Sequence, residues 1–387
     1  MSTLIHISSD YPNPLTPVTT RAIAYMVDPL SEYRAMIYAP VRINGLPKGY
    51  KGLAPLPFGE NKLAIGYSAP PKGLFLAKGL EPVTRYILSD IQKRGLKVSA
   101  VQAHKYTIEG LIALQVSEAL NVPLLITVQG NTDTRILNVK RGLRATYQRI
   151  ADRASALLFF APWAKETFEK TLKIDPHKCH VLPVIIPLDT LMPSPVISQP
   201  RLVTMFRLDD YNNKGLITLF NALCRLRKTL PNVHLDVYGG GSAKTVYTLR
   251  QLIVRMNLQD HVTLCGPVPH DEVGPTLNQY AAFVMPSKRE SYGLVYMESL
   301  FSGVPILYSK ERGIDGYLPA QDIGYACDPH DERDVLKGIE HLLEQQSMVK
   351  IRIARIQEHG DFMPFRRDAI LSAYRRILAL SITHESL

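Results

Sequence analysis

Short apolar and β-branched runs alternate with segments of helical period along almost the whole chain, the pattern of a parallel sheet assembled from strand–helix–strand units. In the first half it predicts strands over 3–8, 35–39, 98–102, 123–128 and 156–160, and helices over roughly 18–28, 80–93, 107–120, 140–152 and 163–172. Residues 43–79, rich in Pro, Gly and Lys, read as a long loop or insertion. The proline-rich stretch 182–200 suits neither a helix nor a central strand. A second series then predicts strands near 201–206, 233–238, 262–266, 282–285 and 305–308. Leu216, Leu219, Phe220, Leu223 and Leu226 repeat at helical spacing after the first of these, and a terminal helix covers about 364–381. The expectation is an α/β protein of two doubly wound, Rossmann-like domains facing a cleft. Its N-terminal domain would span 1–185, a linker 186–200, a C-terminal domain 201–363, and a last segment 364–387 would cross back to the first domain. In such sheets ligands sit beyond the carboxyl ends of the strands.

Composition narrows the class. A chain of 387 residues with 46% hydrophobic and 21% charged residues has the make-up of a two-domain globular protein, which excludes disordered and fibrous classes. Cys179, Cys224, Cys265 and Cys327 lie far apart with no C-x-x-C pair, so reduced cytosolic thiols are expected rather than disulfides or zinc. The start of the chain lacks the basic and apolar regions of a secretory signal. The longest apolar runs, 155–164 and 182–188, fall short of the roughly 20 residues that span a bilayer. A cytoplasmic protein, at the inner face of the cell membrane, is the expectation.

The net charge of +10 is uneven: residues 1–190 carry +9 and residues 191–387 carry +1. A basic first half suits an anionic partner, either nucleic acid or a membrane surface. No helix-turn-helix, RNA-recognition or zinc pattern accompanies it, which argues against nucleic acid. Within 72–97, Leu80, Val83, Ile87 and Ile91 share one helical face flanked by Lys78, Arg85, Lys93 and Arg94, with Glu81-Pro82 as the helix start. Such a helix lies on an anionic bilayer or packs on its own sheet.

Two segments of the second half carry chemistry. Arg207, at the end of a predicted strand, and Lys214, at the start of the next helix, bracket a six-residue polar loop. Converging there, the two cations would bind a diphosphate; taken alone, they fit two solvated side chains at least as well. Asp209-Asp210, between them, reads as a solvated turn pair. The segment Pro286–Pro305 reads as strand, loop, helix, turn and strand, with Glu290 in the loop and Glu298 inside the helix. The backbone amides of Gly293 and Leu294 would be free donors at that helix start, and the carboxylates suit sugar hydroxyls better than phosphate.

In order, Arg207, Lys214-Gly215, Gly239-Gly240-Gly241, Gly266, Glu290, Glu298 and Gly303-Val304-Pro305 resemble the C-terminal domain of the family 4 retaining glycosyltransferases of the GT-B fold. The resemblance covers 201–310; over the first half it extends only to layout. It implies a retaining transferase moving a hexose from a nucleotide-diphosphate sugar to a lipid-linked or polysaccharide acceptor, as in exopolysaccharide, capsule or lipopolysaccharide assembly. By that resemblance Arg207, Lys214 and Glu290 are catalytic. The donor would be held by Arg207, Lys214, Gly266, Val268, Glu290, Ser291, Tyr292, Gly293, Leu294 and Glu298, with Glu298 on the ribose. No D-x-D motif is present, so neither a metal nor another cofactor is expected. Phe206 stands where the family usually has glycine. A GT-B epimerase or phosphorylase is the alternative, although no cofactor lysine for a phosphorylase is evident.

In the first half the loop after the first strand has no glycine, but Thr19, Thr20 and Arg21 offer hydroxyls and a cation at a helix start. Gln129 occupies the place of the family's sugar-contacting histidine, and Gln lacks a titratable proton. Thr19, Thr20, His104, Gln129, Asn131 and Asp133 are the candidates for the acceptor or sugar side.

Overall fold

The structure is a computed structural model that describes residues 2–16, 20–43, 53–70 and 73–383. The chain forms two compact units, with Met1–Phe160, Ala164–Ile185 and Asp368–Leu387 in the first and Ala161–Trp163 with Ile186–Arg367 in the second.

The first unit is built on an eight-stranded sheet: β1 (Thr3–Ile7), β2 (Arg34–Arg42), β3 (Leu53–Gly59), β4 (Lys62–Tyr67), β5 (Val98–Ala103), β6 (Leu124–Val128), β7 (Ala154–Phe159) and β8 (Cys179–Val181). Their order is β3-β4-β2-β1-β5-β6-β7-β8, and all pairs are parallel except β3–β4. β1 and β6 are buried at every residue, as befits strands covered on both faces. Within the loop or insertion expected over 43–79, residues 53–67 form the hairpin β3–β4 and a helix begins at Leu76, while 44–52, 71 and 72 lie outside the described residues. Pro55 and Pro57 are compatible with the hairpin because β3 is the edge strand and pairs with β4 alone. Beyond the expected elements, the unit has a helix over Asn131–Val139 and the short strand β8.

The amphipathic helix runs from Leu76 to Lys93, beginning more than a turn before Glu81-Pro82, and Pro82 lies inside it. Its apolar face is spent on its own unit: Leu80, Val83, Ile87 and Ile91 are all buried. Burial of each contributes about 2 kcal/mol, so this face is not available to a bilayer. No helix among the described residues is long and apolar enough to cross a membrane.

The second unit has a six-stranded parallel sheet: β9 (Arg201–Met205), β10 (His234–Tyr238), β11 (Val262–Gly266), β12 (Ala282–Val284), β13 (Ile306–Ser309) and β14 (Gly324–Cys327). The order β11-β10-β9-β12-β13-β14 is that of a doubly wound dinucleotide-type sheet. Its direction of progression reverses between β9 and β12, where the connections leave on opposite faces and open a crevice. Leu216, Leu219, Phe220, Leu223 and Leu226 of the helix Leu216–Leu226 are buried against this sheet, the face that the sequence spacing marks.

Candidate active site

The crevice between β9 and β12 gathers the second-half candidates. The loop after β9 carries Arg207, Lys214 and Gly215, and the loop after β12 carries Glu290 to Gly293. Backbone bonds lock the two together: the Lys288 amide donates to the Asn213 carbonyl at 2.7 Å, and Ser287 Oγ donates to the same oxygen at 3.2 Å. Across this seam Lys214 Nζ donates to Glu290 Oε2 at 2.6 Å, both side chains being largely buried. A cation and a carboxylate are thus held side by side, the spacing needed where an anionic group and a hydroxyl-rich group share one ligand.

Gly215 makes the seam possible. Its φ is +76°, and a Cβ there would lie 2.1 Å from the Pro286 carbonyl oxygen, so no other residue fits without moving backbone. Gly293, also at φ +76°, precedes the helix Leu294–Phe301, and a Cβ on it would strike the Tyr296 ring at 2.5 Å. Tyr296 is itself anchored by donating to the Met285 carbonyl at 2.6 Å. The amides of Gly293 and Leu294 have no acceptor among the described residues, and no side chain caps this helix. They are free donors at the positive end of a helix dipole.

Glu298 lies within the same helix, buried and without a hydrogen-bond donor among the described residues, and burial pushes its carboxyl up to about 7. A largely buried carboxyl left without a protein donor is a costly feature unless water or a ligand supplies the hydrogen bond. Arg207 is half exposed, and its Nε donates to Asp209 Oδ2 at 3.3 Å. Its two terminal nitrogens have no hydrogen-bond partner among the described residues.

The solvated-turn reading of Asp209 is corrected. Its carboxylate accepts from Ser242 N at 3.1 Å, Ser242 Oγ at 2.8 Å and Thr245 Oγ1 at 2.6 Å. These hydroxyl and amide donors hold its pKa well below the usual carboxylate range. Asp209 thereby ties the Arg207 loop to the start of the helix Ala243–Arg255, just after the Gly239–Gly241 turn. The Leu208 amide adds a bond to the Gly240 carbonyl at 2.9 Å. Asp210 stays on the surface. Phe206 is buried, so the departure from glycine is absorbed into the core. Gly266 ends β11 and Val268 follows it at the same end of the sheet, and Ser291 and Tyr292 lie in the β12 loop, Tyr292 buried against the Tyr317 ring.

In the first unit the corresponding reversal lies between β1 and β5, and there the candidates turn inward. His104 is fully buried, stacked on His6 at 5.3 Å between ring centroids, with His6 Nδ1 3.1 Å from His104 Nε2. Burial lowers both imidazole pKa values, that of His104 to about 3, so both rings are neutral. Asp133 is fully buried and accepts from Thr107 N and Thr107 Oγ1 at 2.9 Å and from Gln129 N at 3.2 Å. Asp133 therefore holds the loops in place, and neither it nor His104 lines a surface, with His104 Nδ1 and His6 Nε2 buried without a partner among the described residues. Gln129 Nε2 donates to the His104 carbonyl at 2.8 Å, its side-chain oxygen having no donor among the described residues, and Asn131 is half-buried at the start of its helix. Thr20 Oγ1 accepts from the Ala22 amide at 3.2 Å, so this hydroxyl is engaged at the start of the helix Ala22–Val27. Thr19 lies outside the described residues.

Sequence reasoning missed a polar cluster beside these residues. Glu109 is buried and accepts from Ser9 N and Ser9 Oγ at 2.7 Å and from His104 N at 3.0 Å; burial raises its carboxyl to about 7. Lys105 Nζ donates to Asp10 Oδ1 at 2.6 Å and Ser9 Oγ at 3.0 Å. The available signal was position, since Ser9-Asp10 and Lys105 both follow strands that are neighbours in a doubly wound order. Among the described residues, no group of three or more His, Cys, Asp or Glu is placed to hold a metal ion.

Residues 196–359 match the family described as glycosyl transferases group 1. The chain is 24% identical over 320 residues to a D-inositol 3-phosphate glycosyltransferase of Paenarthrobacter aurescens, covering 78% of this chain and 77% of that one. It is 28% identical over 192 residues to the lipopolysaccharide core biosynthesis glycosyltransferase LpsE of Rhizobium meliloti, covering 50% of this chain and 52% of LpsE. In fold it is similar to the sucrose-phosphate synthase of Thermosynechococcus elongatus (TM-score 0.72, 16% identity, 98% of this chain and 100% of that one). It is also similar to Anabaena HepE in complex with UDP (TM-score 0.70, 14% identity, 98% and 100%). Residues 196–359 thus carry the signature of the group 1 glycosyl transferases, and the chain has the GT-B fold.

Proposed function

We propose that this chain transfers a hexose, with retention of anomeric configuration, from a nucleotide-diphosphate sugar to a lipid-linked or polysaccharide acceptor. The observation that carries the reading is the crevice between β9 and β12. There Lys214 and Glu290 meet at 2.6 Å beside two uncapped helix amides and the unpartnered carboxyl of Glu298. Arg207 and Lys214 take the diphosphate, Glu290 the sugar hydroxyls and Glu298 the ribose. Ser291 and Tyr292 shape the sugar pocket, and Gly266 and Val268 border the base. The C-terminal half of the chain matches a family whose members include transferases of lipopolysaccharide core and inositol phosphate, and the neighbouring folds have been seen with UDP.

Cleavage of the sugar–phosphate bond builds negative charge on the departing diphosphate. Preorganised cations and helix amides favour that state over the ground state. As the C1–O bond to phosphate breaks, the acceptor oxygen bonds to C1 on the same face, and its proton passes to a diphosphate oxygen. This assignment needs no enzyme base, in keeping with the inward turn of His104 and with Gln129 in place of a histidine. The two cations do the work a divalent metal would otherwise do, so no metal or other cofactor enters the scheme. We place the enzyme at the inner face of an anionic membrane, where the basic first half of the chain meets its acceptor.

The test is thermal stabilisation with UDP-, GDP-, ADP- and dTDP-sugars. Binding raises stability by RT ln(1 + [L]/Kd), about 2.7 kcal/mol at a hundredfold excess. One base should stabilise the parent and not Arg207→Ala/Lys214→Ala, and the product anomer read by NMR should match that of the donor. Stabilisation by none of them, or an inverted product, would overturn the reading.

A further inference from the structure

Burial of the apolar face of the helix Leu76–Lys93 leaves open how a basic first half would meet a bilayer. The surface offers another route at the tip of that helix. Phe75 is 73% exposed and Leu74 55%, on a protein whose apolar side chains are otherwise mostly inside. Val139, 69% exposed, ends the helix Asn131–Val139. The two chain segments are clasped together, because Lys140 Nζ donates to the Gly73 carbonyl at 2.8 Å. Phe75 has φ +52°, a left-handed conformation that is costly for an aromatic residue and here turns its side chain outward rather than into the core.

Charge makes this apolar tip specific. Between Glu60 and Glu81, and again between Asp133 and Asp152, the sequence contains Lys and Arg but neither Asp nor Glu. Lys78, Arg135 and Arg141 from these stretches are exposed, and Lys140 sits at the clasp. A soluble partner protein would normally meet such a patch with acidic side chains around an apolar centre. Exposed cations beside a small, exposed apolar tip instead suit a plane of anionic headgroups over hydrocarbon, since the apolar side chains pass the headgroups while the cations stay among them.

We propose that Leu74, Phe75 and Val139, beside Lys78, Arg135, Lys140 and Arg141, form a wedge that docks the first unit on an anionic bilayer. This rests on the membrane contact included in the proposed function and relocates it from the face of the helix to its tip. The wedge and the cations act together: hydrophobic insertion fixes the depth, and the cations select the charge of the leaflet.

Co-sedimentation with vesicles of phosphatidylcholine, with and without phosphatidylglycerol, tests the inference. The parent should bind the mixed vesicles and bind the neutral ones at least about tenfold less, the loss being restored by adding anionic lipid. Leu74→Ser/Phe75→Ser/Val139→Ser and Lys78→Ala/Arg135→Ala/Arg141→Ala should each lose about tenfold or more on mixed vesicles. Both should keep the parent's circular dichroism and its stabilisation by donor, since these side chains lie outside the donor crevice. Emission of a Phe75→Trp variant should shift to the blue on mixed vesicles. Undiminished binding by the apolar triple variant would overturn the wedge while leaving membrane contact in place. No binding by the parent would overturn membrane contact itself, with donor stabilisation still judging the transferase reading separately. Binding to RNA or polyphosphate as tight as to mixed vesicles would show a general polyanion surface and also overturn the proposal.

Discussion

At the carboxyl ends of β9 and β12 the second unit leaves a guanidinium, a buried carboxyl and two helix amides open. At the carboxyl ends of β1 and β5 the first unit turns its carboxylates on its own donors, while His6 Nε2, Ser8 Oγ and His104 Nδ1 are buried without a partner among the described residues. Both places are reversals in strand order within parallel sheets, so topology alone does not separate them. Satisfaction does. Asp133 and Glu109 each receive three hydrogen bonds from their own unit, whereas Glu298 receives none among the described residues. A polar group already bonded gains little from a ligand, because it exchanges one partner for another; an open, preorganised one gains the whole bond. On this ground the proposed donor site falls in the second unit, whereas the carboxylates of this part of the first unit hold its own loops.

The widest expected difference comes from removing the cations. Arg207→Ala/Lys214→Ala should lower turnover by about 10³-fold or more, measured as acceptor-dependent nucleotide release, because each cation stabilises charge that develops only as the bond breaks. A loss of less than tenfold would place the chemistry elsewhere. Asp133→Ala should instead act on stability. It strands the Thr107 and Gln129 donors in the interior and should cost about 3 kcal/mol in urea unfolding, with donor stabilisation retained. Should Asp133→Ala abolish turnover at unchanged stability, the contrast between the two regions would fail.

This contrast also explains what was legible beforehand. The fold class, the helix Leu216–Leu226 and most central strands follow from periodicity, because burial on both faces of a parallel sheet demands nearly continuous apolar runs. The order Arg207, Lys214, Glu290, Glu298 is visible because a doubly wound sheet brings successive strand-end loops to one edge. The hairpin β3–β4 was hidden by its prolines, which are tolerated only because β3 is an edge strand. The inward turn of His104 and Asp133 was hidden too. Spacing places a residue at a strand end but does not say whether its side chain finds a partner there, and the partners of Asp133 lie 26 and 4 residues away. Asp209 was misread for the same reason, its donors being 33 and 36 residues distant.

Acid sensitivity sharpens the picture of the first unit. His104 titrates near 6.5 when unfolded and near 3 when folded, because burial opposes its charge. Its stabilising contribution is complete above pH 6.5 and is lost as the pH falls, since the unfolded chain then binds a proton that the folded one refuses. Between pH 6.5 and 5 the loss is about 2 kcal/mol. Glu109 works the other way, its folded value of about 7 giving stability that is present below pH 4.5 and lost as the pH rises toward 7. The parent's own curve is flattened by this opposition, so the measurement is a difference. Relative to His104→Gln, which keeps a polar side chain without the titration, the parent should lose about 2 kcal/mol in urea unfolding between pH 6.5 and 5. A constant difference across that range would mean that the imidazole is solvated.

The smallest expected effect belongs to Glu298 and tests the binding side of the contrast directly. Its carboxyl titrates near 7 because burial disfavours the charged form. If it accepts from the donor's ribose, only the ionised form offers all its lone pairs to hydroxyl protons. Affinity for the nucleotide-diphosphate sugar should therefore rise with pH between about 6 and 8, by up to about tenfold, the value of one hydrogen bond to a charged group. The sugar donor is the right probe, because both of its phosphates are esterified and neither titrates in this range, whereas a free nucleoside diphosphate does. Glu298→Gln should bind more weakly at pH 8 and show no slope, since an amide accepts without titrating. A slope that survives in Glu298→Gln would assign the proton to another group, and a flat profile in the parent would mean that the ribose is held by backbone and that Glu298 serves the helix instead.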